Sequence, residues 1–97
     1  MEIELDKKRT LTFTLNAMVK FEEARGKPIF KQDGSAADIR ALLWSGLLKD
    51  DPKLTLEQAG SLVDESNMAY VSDKIAEAWG RSLPKKDGGD PLPKSTG

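Results

Sequence analysis

Two helix starts separated by a proline break dominate residues 35–65, SAADIRALLWSGLLKDDPKLTLEQAGSLVDE, and restrict what this chain can become. Ser35 can cap the first helix, because its hydroxyl accepts from a free N–H of the first turn. Asp38, three places on, can reciprocate and complements the helix dipole. Ile39, Leu42, Leu43, Gly46 and Leu47 then recur at the spacing that places side chains on one face of a helix. Ala41, Trp44 and Leu48 fall on a neighbouring face, so the apolar arc exceeds the ~100° stripe that one covering layer uses. Such a helix is either sandwiched or sticky. Asp50, Asp51 and Pro52 stop it, since proline donates no hydrogen bond and drives the preceding residue out of the α region. Thr55 and Gln58 form a capping box for a second helix, with Leu54 and Ala59 as a hydrophobic staple and Leu56, Ala59, Leu62 and Val63 as its buried side. The two helices form an αα-hairpin in which Gly46 and Gly60 permit close backbone approach.

The remaining chain adds a β-hairpin and two helices. Met1, Ile3 and Leu5, then Leu11, Phe13 and Leu15, alternate with polar residues, which predicts two strands joined through residues 6–9. A helix from Thr14 or Asn16 to Arg25 follows, closed by Gly26, with Leu15, Met18, Phe21 and Ala24 or Arg25 on its core edge. Ile29 and Phe30 tuck down the loop that leads to Asp33-Gly34. A last helix is capped by Ser66 or Asn67, carries Met68, Val71, Ile75, Ala78 and Trp79 on one face, and ends at Gly80. Residues 84–97, PKKDGGDPLPKSTG, hold one apolar side chain, Leu92, which cannot offset the entropy of ordering the segment. The expectation is a mainly α (α+β) domain over residues 1–83, three to four helices with an N-terminal β-hairpin packed on them, followed by a disordered C-terminal tail over 84–97.

Composition narrows function. The 97 residues contain no cysteine and no histidine, which removes thiolate ligands and the commonest zinc ligand and neutral-pH general base. No cofactor or metal is expected. Net charge is −1, from 15 basic and 16 acidic residues, so no strong field gathers nucleic-acid phosphate or an anionic membrane. No apolar run approaches the ~20 residues of a membrane span, and Glu2, Glu4 and Asp6 do not open a signal peptide.

Individual clusters have plain structural explanations. Glu22 and Glu23 read as a solvated face, because adjacent helical residues do not face each other. Asp33, Asp38, Asp50 and Asp51 lack the spaced pattern of a calcium loop. Lys7, Lys8 and Arg9 read as a soluble turn, and the helix after Thr55 offers no basic residue to a DNA groove. What is left is a protein-binding module. Trp44 and Leu48, off the best-defined apolar face, are its candidate partner-binding residues, joined by the adaptable Met18 and Met68.

The succession LTFTLNAMVKFEEARGKPI, DIRALLWSGLLKDDPKLTLEQAGSLVDE and IAEAW resembles the small tail assembly chaperones of long-tailed bacteriophages and prophages, over about residues 3–80. The resemblance implies a non-enzymatic protein of the host bacterial cytoplasm that binds the tape measure protein, keeps it soluble during tail morphogenesis and is absent from the mature virion. It also implies a frameshifted longer form whose extension recruits tail tube protein, and a tendency to form homo-oligomers. A general small helical interaction adaptor, antitoxin-like, and a DNA-binding regulator are the alternatives.

Overall fold

The computed structural model describes residues 1–82; the tail expected at 84–97 lies outside the described residues. The fold is mainly helical with an N-terminal two-stranded antiparallel hairpin, as expected, but its second strand is residues 8–10 and not the alternating run of Leu11, Phe13 and Leu15 that the periodicity predicts. Strand β1 (Glu2–Glu4) pairs with β2 (Lys8–Thr10), placing Ile3 opposite Arg9. Arg9 is therefore strand, not turn, and is only 6% exposed. Burying it is tolerated because Asp6 accepts from its Nε and Nη2 at 2.9 and 3.0 Å, and Asp51 accepts from Nη1 at 3.3 Å. The Tyr70 hydroxyl accepts from the Glu4 N–H at 2.9 Å and ties the hairpin to the last helix.

Beyond β2 the chain runs into the core. Leu11 and Phe13 are buried, and the Thr12 N–H donates to the Gly46 carbonyl at 2.8 Å. Helix α1 (Leu15–Arg25) begins at Thr14, whose Oγ1 accepts from the Ala17 N–H, and ends at Gly26 in the left-handed region, φ 69°. Its buried residues are Ala17 and Phe21, while Leu15 is 74% exposed and Ala24 also faces solvent. The expected core edge is thus out of phase at Leu15. At ~100° per residue, Leu15 lies roughly 120° around the helix from Phe21 and so turns away from the core.

A 3₁₀ turn (Ile29–Lys31) links α1 to α2 (Ala36–Leu47). Ile29 is buried and its N–H donates to Glu22 Oε2 at 3.1 Å, so Glu22 anchors this turn and is not merely a solvated residue. Phe30, expected to tuck in with Ile29, is 71% exposed. Ser35 caps α2 as predicted, accepting from the Asp38 N–H at 3.2 Å. Asp38 does not reciprocate. Its carboxylate, fully buried, accepts instead from Arg25 Nε at 2.8 Å, Lys27 Nζ at 2.7 Å and the Asp33 N–H at 2.8 Å. The end of α1, the linking loop and the start of α2 are thereby fastened at one carboxylate.

The wide apolar arc of α2 reflects a sandwiched helix: Ala41, Leu42, Leu43, Ser45, Gly46 and Leu47 are all buried. Helix α3 (Leu56–Gly60) has both hydrogen bonds of the Thr55/Gln58 capping box but stops after five residues, short of the expected Glu65. Gly46 faces Leu11 and Phe13, and Gly60 faces the Arg40 side chain, so the two glycines do not meet across the hairpin as expected. The break before the last helix is real. Asn67 Oδ1 accepts from the Asp64 N–H at 2.8 Å and its Nδ2 donates to the Leu62 carbonyl at 3.0 Å. Helix α4 (Met68–Ser82) buries Val71, Ile75 and Ala78 and continues through Gly80, where the sequence predicts its end. A helical glycine costs only about 1 kcal/mol relative to alanine, too little to stop a helix held by packing.

Candidate interaction surface

The aromatic residues form a row from the core outward. Buried Phe13 meets Trp79 edge-on, with ring centroids 5.7 Å apart, and Trp79 in turn meets the exposed Phe30 at 5.8 Å. Trp79 reaches this position because α4 places it one side of Ile75 and Ala78, at the margin of the buried face. Phe30 reaches it because Ile29 occupies the core, and two successive residues in so short a turn cannot both point inward.

Beside this row, a groove of about 250 Å³ opens between α2 and α4. Ile39 and Leu42 form one wall, Ile75, Ala76 and Trp79 the other, with Gln32, Gly34 and Ser72 completing the lining. Lys31 and Asp73, adjacent in sequence to Gln32 and Ser72, are exposed. The groove is lined mainly by apolar side chains, and one of them, Trp79, meets the solvent-facing Phe30. That arrangement accepts an apolar helix face or a single large apolar side chain.

The four candidate residues from the sequence do not converge. Leu48, half-buried just beyond α2, borders a depression with Ala17, Lys20 and Lys49. Met68, 36% exposed, borders another with Arg40, Leu43 and Val63, at the opposite end of α2. Met18 is half-buried against the core. Trp44 is half-buried, and its indole N–H donates to the Leu54 carbonyl at 2.8 Å. That bond holds the α2 side of the link to α3. Trp44→Phe is expected to lower unfolding free energy by about 1 kcal/mol, leaving the Leu54 carbonyl without this donor. Urea denaturation measures it, and an unchanged midpoint would show that the bond contributes nothing.

Sequence reasoning misses Phe30 as a surface residue although its signal is present: the neighbouring Ile29 and Phe30 require a choice of which to bury. Leu15 and Val19, exposed four residues apart on α1, make a second apolar strip. No helix among the described residues is long and apolar enough to cross a membrane. Comparison of the chain with protein-family models, curated proteins and solved structures gives no match.

Proposed function

We propose that this chain is a tail assembly chaperone of a long-tailed bacteriophage or prophage, which binds apolar helical segments of the tape measure protein and keeps them soluble in the host bacterial cytoplasm without chemistry of its own. The observation that carries the reading is the apolar groove between α2 and α4, bordered by Phe30 and Trp79. A holding function requires binding energy alone, and an aromatic pair beside an apolar cleft supplies it through burial on partner contact. Met68 and Leu48 border separate depressions toward the two ends of α2, outside this groove, and the reading does not depend on them. Recruitment of tail tube protein belongs to a frameshifted extension, and the general interaction adaptor is the reading that replaces this one if the partner fails.

The test is co-expression of the chain with the tape measure protein, followed by pull-down and a solubility assay. The parent chain should raise the soluble fraction of the long protein, and Phe30→Asp should weaken the complex by roughly 30-fold, as for loss of an aromatic anchor worth about 2 kcal/mol. A tape measure protein that is equally soluble without the chain would reject the chaperone reading.

A further inference from the structure

We infer that Pro91-Leu92-Pro93, on this chain's own stretch beyond α4, docks in the groove between α2 and α4, with Leu92 in the apolar cleft and the prolines against Phe30 and Trp79. This concerns what covers the groove before any partner arrives and stands apart from the proposed tape measure partner.

Chemistry, reach and entropy each favour this occupant. Proline-flanked segments seat in aromatic-lined apolar grooves, because their backbone is already extended and their rings pack on aromatic faces. Trp79 lines this groove and Phe30 meets it at 5.8 Å between ring centroids, while Leu92 stands between two prolines. Reach is sufficient. Ser72, Ile75, Ala76 and Trp79 line the groove from α4, whose last residue is Ser82. Leu92 follows ten positions later, and an unconstrained chain of that length spans about 17 Å, whereas Ala76 lies only ~9 Å back along the helix from Ser82. Asp87-Gly88-Gly89-Asp90 supplies the residue types that a chain reversal needs. A tether of matching span keeps its end at a local concentration in the millimolar range. The entropy is also favourable. Leu92 cannot offset the ordering of all of residues 84–97, but docking orders only three of them. Pro91 and Pro93 fix their own φ, and Pro93 holds Leu92 extended, so little freedom is left to lose there. An outside helix that uses the groove must displace the segment, and its apparent affinity falls in proportion to the fraction of molecules whose groove is open.

The experiment uses the full chain. Because the sequence contains no cysteine, Ser95→Cys accepts a single nitroxide label close to Leu92. In the NMR spectrum, the backbone signals of Ile39, Leu42, Ile75 and Ala76 should lose more than half their intensity relative to the same protein with the label reduced. Adding Leu92→Asp should restore most of that intensity, as should Ala76→Arg, which fills the groove from an exposed position on its α4 wall. Both variants should unfold close to the parent temperature, and if Ala76→Arg disturbs folding, Leu92→Asp, placed beyond α4, decides alone. Equal broadening with and without Leu92→Asp overturns the inference, because the tether by itself would then bring the label near α4. Undisturbed groove signals in the labelled parent overturn it as well. So does broadening in a mixture of isotope-labelled chains without nitroxide and nitroxide-labelled chains without isotope, which would seat the segment on another molecule. None of these results bears on the solubility of the tape measure protein, so the inference and the proposed function can fail separately.

Discussion

Replacing Asp38 by alanine is expected to lower the free energy of unfolding by about 3 kcal/mol, the lower end of the range for breaking a buried ion pair by removing one partner. The carboxylate is fully buried and takes two cationic donors and one backbone N–H, whereas Arg25 and Lys27 retain 33% and 26% side-chain exposure. Removing Asp38 therefore leaves two cations that regain water, not a stranded buried charge. The Asp33 N–H also loses its partner, and the loop that carries Phe30 loses its fastening to α2. Burial by itself pushes the Asp38 carboxyl up, but the hydrogen bonds from Lys27, the Asp33 N–H and Arg25 outweigh it and hold the group well below the ordinary carboxylate range. A carboxyl depressed in the folded state contributes fully above its unfolded value near 3.9 and loses that contribution as pH falls through the folded value. The difference between parent and Asp38→Ala should thus be constant from pH 7 to about 5 and narrow below about pH 4. Asp6 and Asp64 titrate in the same direction, held down chiefly by hydrogen bonds from Arg9 and Ser66, but both proteins carry them, so the comparison isolates Asp38. Urea denaturation across this pH range measures the effect. A loss below ~1 kcal/mol at pH 7 would mean that the cluster is a surface-type pair despite its burial.

What can be read from sequence is short-range. The Thr14, Ser35 and Thr55 caps and the left-handed Gly26 each depend on residues within four positions, and all four appear in the fold. Asp38 can be placed in the first turn of α2, but not identified as a buried anchor, because its partners lie on α1 and the loop and Arg25 is 13 residues away. Arg9 is misassigned to a turn for the same reason, since Asp51 stands 42 positions on. The wide apolar arc of α2 suggests an open surface at Trp44 and Leu48, yet Trp44 is committed to the Leu54 carbonyl. The aromatic row is less accessible still: Phe13, Phe30 and Trp79 come from three segments whose meeting depends on packing rather than on periodicity.

Gly46 is where that packing leaves least room. A methyl group there would lie 2.5 Å from Leu11 Cδ2 and 3.0 and 3.1 Å from two atoms of the Phe13 ring. Gly46→Ala alone should destabilise by about 1–3 kcal/mol through overpacking, and Leu11→Ala alone by about 2–5 kcal/mol through the cavity it leaves. Together they should not add. Removing the isopropyl end of Leu11 vacates the space that the new methyl requires, and the Phe13 ring can shift into the remainder, so the double variant should unfold within about 1 kcal/mol of Leu11→Ala alone, with a coupling of ~0.5–3 kcal/mol. Four urea curves with a common slope test this, and strict additivity would show that the crowding at Gly46 is relieved elsewhere. The same four proteins bear on function. The Gly46 carbonyl accepts from the Thr12 N–H at 2.8 Å, fixing the strand exit that delivers Phe13 to Trp79, and Trp79 supports Phe30 at the groove. If that row acts as one packed unit, Gly46→Ala should weaken Phe30-dependent association although residue 46 is buried far from solvent, and Leu11→Ala in the same chain should restore part of it.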